Sequence, residues 1–119
     1  MKPDITTRLD IEKMVDLFYQ KVIKDDQLNS FFAKTNWEKH LPKMYGFWNN
    51  AIFYSGGYTG DPLAKHKKLH EKQPLNKRLF DRWEELFFET VDELFEGPNA
   101  NLAKQRAESI AMIMQMKIL

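Results

Sequence analysis

The 119-residue sequence predicts an all-α fold. Apolar residues recur at steps of three and four along four segments, which is the spacing of one helix face. No segment alternates apolar and polar residues with the two-residue period of a strand. Glycine, proline and asparagine separate the helical segments. We therefore expect about four main helices and one long loop, folded as one domain over residues 1–119.

Composition limits the classes of function. The chain has 18 lysine and arginine residues against 17 aspartate and glutamate, and this balance argues against a dedicated nucleic-acid binder. Because cysteine is absent, thiolate metal sites and cysteine nucleophiles are excluded. No apolar run suits a membrane span or a secretory signal, so we expect a cytoplasmic protein without membrane association. The 13% aromatic content predicts an aromatic core or a pocket for a large apolar ligand.

The first apolar stripe predicts a helix near the start of the chain. Its buried positions would be Ile11, Met14, Val15, Phe18 and Val22. Thr6 or Thr7 would cap this helix, and Asp10 in its first turn suits the helix dipole. Tyr19 lies at the margin of the stripe. A short helical turn over the core is indicated next by Leu28, Phe31 and Phe32.

The second stripe also has helical spacing, but a proline interrupts it. Its members are Trp37, His40, Leu41, Met44, Phe47, Trp48 and Ala51. Proline is tolerated in the first turn of a helix and kinks the interior. Either the helix starts close to Pro42, or a short piece containing Trp37 and His40 meets it at a bend.

Residues 54–76 predict a long loop. Gly56, Gly57, Gly60 and the pair Asp61-Pro62 form turns, and a single helical turn around His66 is the only regular structure expected. Long loops inside small domains are often functional.

Two further helices complete the prediction. The first has the stripe Leu79, Phe80, Trp83, Leu86, Phe87, Val91, Leu94 and Phe95. Gly97 followed by Pro98 would end this helix, and Asn99 would cap the next one. The shared face of the last helix would be Leu102, Arg106, Ile110, Ile113 and Met114.

The three histidines and two aromatic residues are candidates for chemistry. Taken alone, His40 fits a half-buried side chain with a hydrogen-bond partner, and His66 fits a solvated loop residue in a lysine-rich run. His66 and His70 are four residues apart, but zinc is not predicted because the chain offers no cysteine ligand. Tyr19 and Trp83 each combine an apolar ring with one hydrogen-bond donor.

Several segments, in order, resemble the group III truncated haemoglobins of the truncated globin family. They are LFY (17–19), FF (31–32), WEKHLPKM (37–44), FW (47–48), PLAKH (62–66), FDRW (80–83), TVDE (90–93) and RA (106–107). The resemblance extends from about Ile11 to Met114. It implies a two-over-two helical sandwich, in which two helix pairs cross over haem b (iron protoporphyrin IX).

The resemblance also implies a role for each candidate residue. His66 would be the metal ligand on the proximal side, with His70 the competitor one turn away. The distal ligand-binding set would be Tyr19, His40 and Trp83. The side chains that contact the cofactor would be Phe32, His40, Met44, Phe47, His66 and Trp83. Pro42, close after His40, leaves open whether that imidazole points into the pocket or away from it.

The implied function is binding of O₂, NO and CO at a histidine-ligated iron with a polar distal pocket. Donors on the distal side favour O₂/NO chemistry over bulk O₂ delivery. An alternative is a haem enzyme with activity like that of an NO dioxygenase or a peroxidase. A third interpretation is a helical interaction module without a cofactor. The implied partners are the small ligands and an unidentified reductase, and we expect a monomer.

Overall fold

The protein is all-helical, as predicted. The computed structural model describes residues 1–119. A short 3-10 turn, Asn29–Phe32, follows the first of five helices: α1 (Arg8–Val22), α2 (Trp37–Phe53), α3 (Pro62–Lys72), α4 (Lys77–Leu94) and α5 (Pro98–Ile118). Helix α1 packs on α2 and α4, and α5 packs on α2, α3 and α4. The helix pairs α1–α2 and α4–α5 therefore form a two-over-two sandwich. None of the helices is both long and apolar enough to cross a membrane.

Helix α1 has the predicted start and the predicted buried face. The Thr7 hydroxyl accepts from the Asp10 backbone N–H, and the Asp10 carboxylate accepts from the Thr7 N–H in return. This reciprocal capping box satisfies two N–H groups that have no partner within the helix. All five predicted stripe residues are at most 2% exposed. Burying each such side chain contributes roughly 1.5–3 kcal/mol to folding, so this stripe anchors α1 in the core.

A buried carboxylate holds the corner that follows α1. Asp25 accepts hydrogen bonds from the backbone N–H groups of Gln27 and Leu28, both at 3.2 Å. Its other oxygen accepts from Arg82 Nε of α4 at 2.7 Å. The Asp25 side chain is 7% exposed and that of Arg82 is 30% exposed. This ion pair ties the corner to the helix that carries Trp83.

We expect Asp25→Ala to destabilise the protein by about 2 kcal/mol, because two backbone donors and a guanidinium lose their acceptor. Urea unfolding followed by circular dichroism measures the change. The matched control is Asp26→Ala, which alters an exposed carboxylate and is expected to cost less than about 0.5 kcal/mol. Equal losses in the two variants would contradict this role of the Asp25 clamp.

Both alternatives for the start of α2 were wrong. The helix begins at Trp37, after Asn36, and continues through Pro42 to Phe53. Proline lacks the N–H that would bond to the carbonyl of Glu38, so it removes one backbone hydrogen bond. Packing on both sides offsets that loss. Trp37 contacts the ring of Tyr19 at a centroid distance of 5.3 Å, and Trp48 is buried two turns after the proline.

Helix α3 occupies part of the segment that was predicted to be a loop. Its eleven residues start with Pro62 in the first turn, and the Asp61 carboxylate accepts from the Ala64 N–H at 3.1 Å. No residue of α3 is buried. The apolar stripe is short because this helix faces a cleft instead of the packed core, and a sparse stripe among lysines does not predict a helix.

The turn between α4 and α5 differs from the prediction. Phe95, in extended conformation, ends α4, whereas Gly97 (φ 144°) precedes Pro98 at the start of α5. Asn99 does not cap α5. Instead, the Asp4 carboxylate accepts from the N–H groups of Asn99 and Ala100 at 3.0 and 2.9 Å. A carboxylate distant in sequence therefore satisfies the helix start and fastens the N-terminal segment to it.

The buried face of α5 consists mainly of alanine. The fully covered residues are Ala100, Ala103, Ala107 and Ala111, each at most 2% exposed. Met114 is 8% exposed, as predicted for a core residue, but Ile113 is 50% exposed and does not belong to the core. Side chains larger than methyl would separate the closely packed helices, so the larger apolar residues lie beside the contact or in solvent.

Candidate functional site

A deep apolar cleft lies between the helices. A water-sized sphere can occupy about 160 Å³ of it. Sixteen of its eighteen lining residues are hydrophobic. The lining residues are Phe18, Tyr19, Leu28, Phe31, Phe32, Met44, Phe47, Trp48, Pro62, His66, Leu69, Leu75, Leu79, Phe80, Trp83, Ile110, Ala111 and Met114.

His66 presents an imidazole to this cleft from α3. Its Nδ1 lies 2.6 Å from the carbonyl oxygen of Pro62, one turn earlier in the helix. Because a carbonyl oxygen only accepts, Nδ1 carries the proton and donates it. Nε2 of the neutral ring therefore keeps its lone pair. Such a backbone partner is typical of histidines that ligate metals, since it fixes both the tautomer and the orientation of the ring.

His70 has the opposite arrangement. Its Nδ1 accepts a hydrogen bond from the backbone N–H of Leu75 at 2.8 Å. The lone pair of Nδ1 is therefore occupied, and the proton of the neutral ring lies on Nε2, which leaves no free nitrogen to bind a metal. His70 does not line the cleft. It closes the turn after α3, whereas His66 lines the cleft and keeps a free lone pair on Nε2.

Tyr19 of α1 and Trp83 of α4 also line the cleft. Burial raises the pKa of the Tyr19 phenol well above its ordinary value of 10.0, so this group is a neutral O–H donor at every physiological pH. The Trp83 ring is stacked on Phe87 at a centroid distance of 5.8 Å and an interplanar angle of 12°. The edge of Phe18 fixes it from another side at 5.9 Å. The core therefore positions the indole before any ligand binds.

His40 lies behind the cleft wall and is not among the lining residues. Its ring contacts Tyr19, Phe32 and Trp37 at centroid distances of 5.1, 6.1 and 5.5 Å. The atom Nε2 is buried and has no hydrogen-bond partner, so the partner expected for a half-buried histidine is missing. Burial, and then the charges of Lys43 and Lys65, lower the pKa of His40 below 6.5. The imidazole therefore lies among these aromatic rings and not in the cleft, and it is neutral at pH 7.

We expect the stability of the protein to fall as the pH drops below 6.5, in part because of His40. In that interval the unfolded chain binds a proton at this position that the folded chain does not bind, so the free energy of unfolding decreases toward acid. His40→Gln removes this contribution. Urea unfolding across the interval is therefore expected to show a shallower pH slope for the variant. Identical slopes would contradict the buried, neutral imidazole.

The predicted site residues differ in where they lie. Tyr19, Phe32, Met44, Phe47, His66 and Trp83 all line one cleft, whereas His40 lies one layer behind it. Much of the remaining lining was not predicted from the sequence, above all Leu69, Leu75, Phe80 and Met114. Spacing offered a signal for two of them, since Leu69 and Phe80 are each three residues from a predicted site residue. Leu75 follows the end of α3, where no periodicity applies.

The cleft suits a large, flat, mainly apolar cofactor with a metal at its centre. Its walls are apolar and aromatic, an imidazole with a free Nε2 lone pair lines it, and so does a neutral phenol. A metal ion bound by protein side chains alone would need more ligands, and no group of three or more histidine, aspartate or glutamate side chains comes together in the chain. A porphyrin supplies the other ligands itself, so these residues fit haem.

Comparison with known proteins identifies the family. The family model of bacterial-like globins matches residues 4–118. The chain belongs to the bacterial-like globin family. The group 3 truncated haemoglobin ctb of Campylobacter jejuni is 32% identical to this globin over 93% of the chain and 90% of the relative. The group 1 truncated haemoglobin GlbN of Synechocystis is 32% identical over 75% of this chain and 71% of the relative.

The fold of this globin agrees with that assignment. The crystal structure of a group III truncated haemoglobin from Campylobacter jejuni superposes with a TM-score of 0.88 at 30% sequence identity. The match covers 100% of this chain and 96% of the other. The resemblance to the group III truncated haemoglobins is therefore confirmed. Membership of the family implies a haem cofactor and globin-type binding of ligands at that haem.

Proposed function

We propose that this truncated haemoglobin holds haem b in the cleft, with His66 as the proximal ligand and Tyr19 and Trp83 on the distal side. The observation that carries the proposal is the hydrogen bond from His66 Nδ1 to Pro62, which frees Nε2 for iron. Haem, when bound, supplies an iron with an open axial position for diatomic ligands such as O₂, NO and CO. The carbonyl partner also makes the imidazole a stronger electron donor.

The remaining cleft residues support a defined orientation of the cofactor. Phe32, Met44 and Phe47 provide apolar surface for the porphyrin plane. Lys43 lies one helical turn before Phe47, and Lys65 lies one turn after Pro62. Both cations are therefore next to residues that line the cleft. We assign them to the two propionates of haem b, which are anionic and keep their charge in water at the mouth of the cleft.

The distal donors favour retention of a polarised ligand. The hydroxyl of Tyr19 makes no hydrogen bond within the chain, and burial raises its pKa, so it keeps its proton and is free to donate to a ligand. One neutral hydrogen bond contributes about 1 kcal/mol net, and 1.4 kcal/mol corresponds to a tenfold change in an equilibrium constant. The two donors together slow ligand release by roughly one to two orders of magnitude. We therefore propose O₂/NO chemistry rather than bulk O₂ delivery.

A haem enzyme is the second candidate, favoured by the pairing of Tyr19 and His40. Their rings are 5.1 Å apart, and His40 is neutral with an unpartnered Nε2. Peroxidase-like or NO dioxygenase-like chemistry needs a group that accepts a proton beside one that donates it. Catalytic turnover with a physiological reductant and NO or peroxide, lost in His40→Ala, would favour this candidate over simple ligand binding.

The experiment that tests the proposed function is a haemin titration of the purified protein, followed by absorption spectroscopy. We expect an intense Soret band at a stoichiometry of one haem per chain, a five-coordinate spectrum after reduction and a shifted band with CO. A preparation that stays colourless after haemin addition would overturn the proposal. We further propose a cytoplasmic monomer that receives electrons from a separate reductase, and gel filtration of the haem-loaded protein tests the monomer.

A further inference from the structure

Five exposed lysines on α2 and α3 lie close in sequence to residues that line the cleft. We define this lysine rim as Lys39, Lys43, Lys65, Lys68 and Lys72. On α2, Lys39 and Lys43 are one turn apart, and Lys43 is one turn before Phe47. On α3, Lys65 and Lys72 lie one turn before and after Leu69, on the same flank.

The charge of the rim is not neutralised within the chain. Residues 31–75 contain seven lysines against the three acidic residues Glu38, Asp61 and Glu71, a local net charge of +4 in a chain of +1. The ion pairs of the protein use other cations: Arg8, Lys21, Lys77, Arg78, Arg82 and Lys104. The positive charges of both helices also reach the same side chain, since Lys43 on α2 and Lys65 on α3 both lower the pKa of His40. The α2 and α3 sides of the cleft therefore carry a concentration of unpaired positive charge, which attracts anionic partners.

We propose that the lysine rim docks an electron-donor protein through a carboxylate-rich face on that partner. The inference rests on the proposed function, because it needs haem in the cleft. The redox centre of the partner would give up one electron and so be oxidised by one electron, and this electron would reduce ferric haem to ferrous haem. No bond forms or breaks in this step, and no proton is required.

A protein partner fits the rim better than other anionic surfaces do. Electron-transfer complexes are small and transient, and complementary charge steers the partners together instead of holding them tightly. A nucleic-acid binder would carry a basic excess over the whole chain, whereas residues 77–108 hold five cations against eight acidic residues. A membrane surface would also engage apolar anchors, but none of the large exposed apolar side chains, such as Leu9, Tyr54 and Met116, lies within α2 or α3.

The test uses the haem-loaded protein and two matched double variants. Lys39→Glu with Lys72→Glu reverses two rim charges and leaves Lys43 and Lys65 intact. Lys13→Glu with Lys24→Glu makes the same change in net charge at exposed lysines outside the rim. Stopped-flow reduction of the ferric protein by anionic iron(II)–EDTA is followed at low and high salt. Titration of the ¹⁵N-labelled ferrous CO form with a poly-glutamate peptide maps the binding surface without any redox step.

We expect the rim variant to be reduced about tenfold more slowly than the wild type at low salt, with little difference at high salt. The control variant is expected to keep most of the wild-type rate, and poly-glutamate to shift amide signals of the first half of α2 and of α3. Equal slowing in both variants, or shifts on another face, would overturn the docking site. So would rim-dependent binding to phosphatidylserine vesicles without any response to poly-glutamate. Failure of the proposed function is seen separately, as the absence of a Soret band.

Discussion

His66→Ala is expected to abolish the five-coordinate ferrous haem spectrum, whereas His70→Ala preserves it. The two histidines are one helical turn apart, but only His66 lines the cleft and keeps Nε2 free. Loss of an outer-sphere partner alone lowers metal affinity by about 10–100-fold, and loss of the ligand itself should exceed that. The measurements are haemin affinity by Soret titration and the ferrous spectrum. If His70→Ala were the damaging change, the ligand assignment would be wrong.

Chemical rescue separates loss of the ligand from loss of the fold. His66→Gly leaves a space beside the metal position, and added imidazole is expected to restore the five-coordinate spectrum. His70→Ala removes the acceptor for the Leu75 N–H, so its expected effect is on stability, about 1 kcal/mol. No recovery with imidazole in a variant that circular dichroism shows to be folded would contradict direct ligation by His66.

The contrast between α1 and α3 shows which parts of the fold the sequence predicts. Helix α1 buries a continuous stripe in the core, and its spacing and its Thr7 cap were both readable. Helix α3 turns its apolar side toward the cleft, which we propose holds the cofactor. It therefore needs few apolar residues, and its sequence resembles a lysine-rich loop. Periodicity detects helices that pack on protein, and it loses its signal where part of the core is not polypeptide.

Other differences arise from contacts between residues distant in sequence. Asp4 caps α5 across ninety-five and ninety-six positions, so no local pattern at Asn99 predicts the partner. The exposure of Ile113 has a similar cause, because close packing of α4 and α5 selects alanine and excludes larger side chains. Helix α2 continues through Pro42 because aromatic packing around Trp37 offsets one lost hydrogen bond.

The candidate site was predicted mainly through the family resemblance. Composition and spacing alone predict that His66 is a solvated loop residue and that His40 is an ordinary half-buried histidine. The hydrogen-bond partners of the ring nitrogens show which histidine can bind a metal, and they are known only from the structure. They are a carbonyl for His66 and a backbone N–H for His70, whereas Nε2 of His40 has none. A sequence names the titratable residues, but tautomers are set by three-dimensional neighbours.

Removing a distal donor is expected to speed O₂ release. Tyr19→Phe deletes one O–H and keeps the ring, and Trp83→Phe deletes the indole N–H. Since each neutral hydrogen bond contributes about 1 kcal/mol net, each variant should raise the O₂ dissociation rate about fivefold. Stopped-flow displacement of O₂ by CO measures this rate. The double variant tests whether the donors are coupled, because the effects of residues that share a ligand need not add.

Two controls decide whether the hydrogen bond to the ligand is responsible. Tyr45→Phe deletes a phenol that donates to Asp16 and does not line the cleft, so it should leave O₂ release unchanged. CO is less polarised than O₂ and gains less from a donor, so its release from Tyr19→Phe should change less than that of O₂. Equal acceleration for both ligands would indicate a steric change in the cleft, and unchanged O₂ release in both single variants and the double variant would remove the distal-donor mechanism.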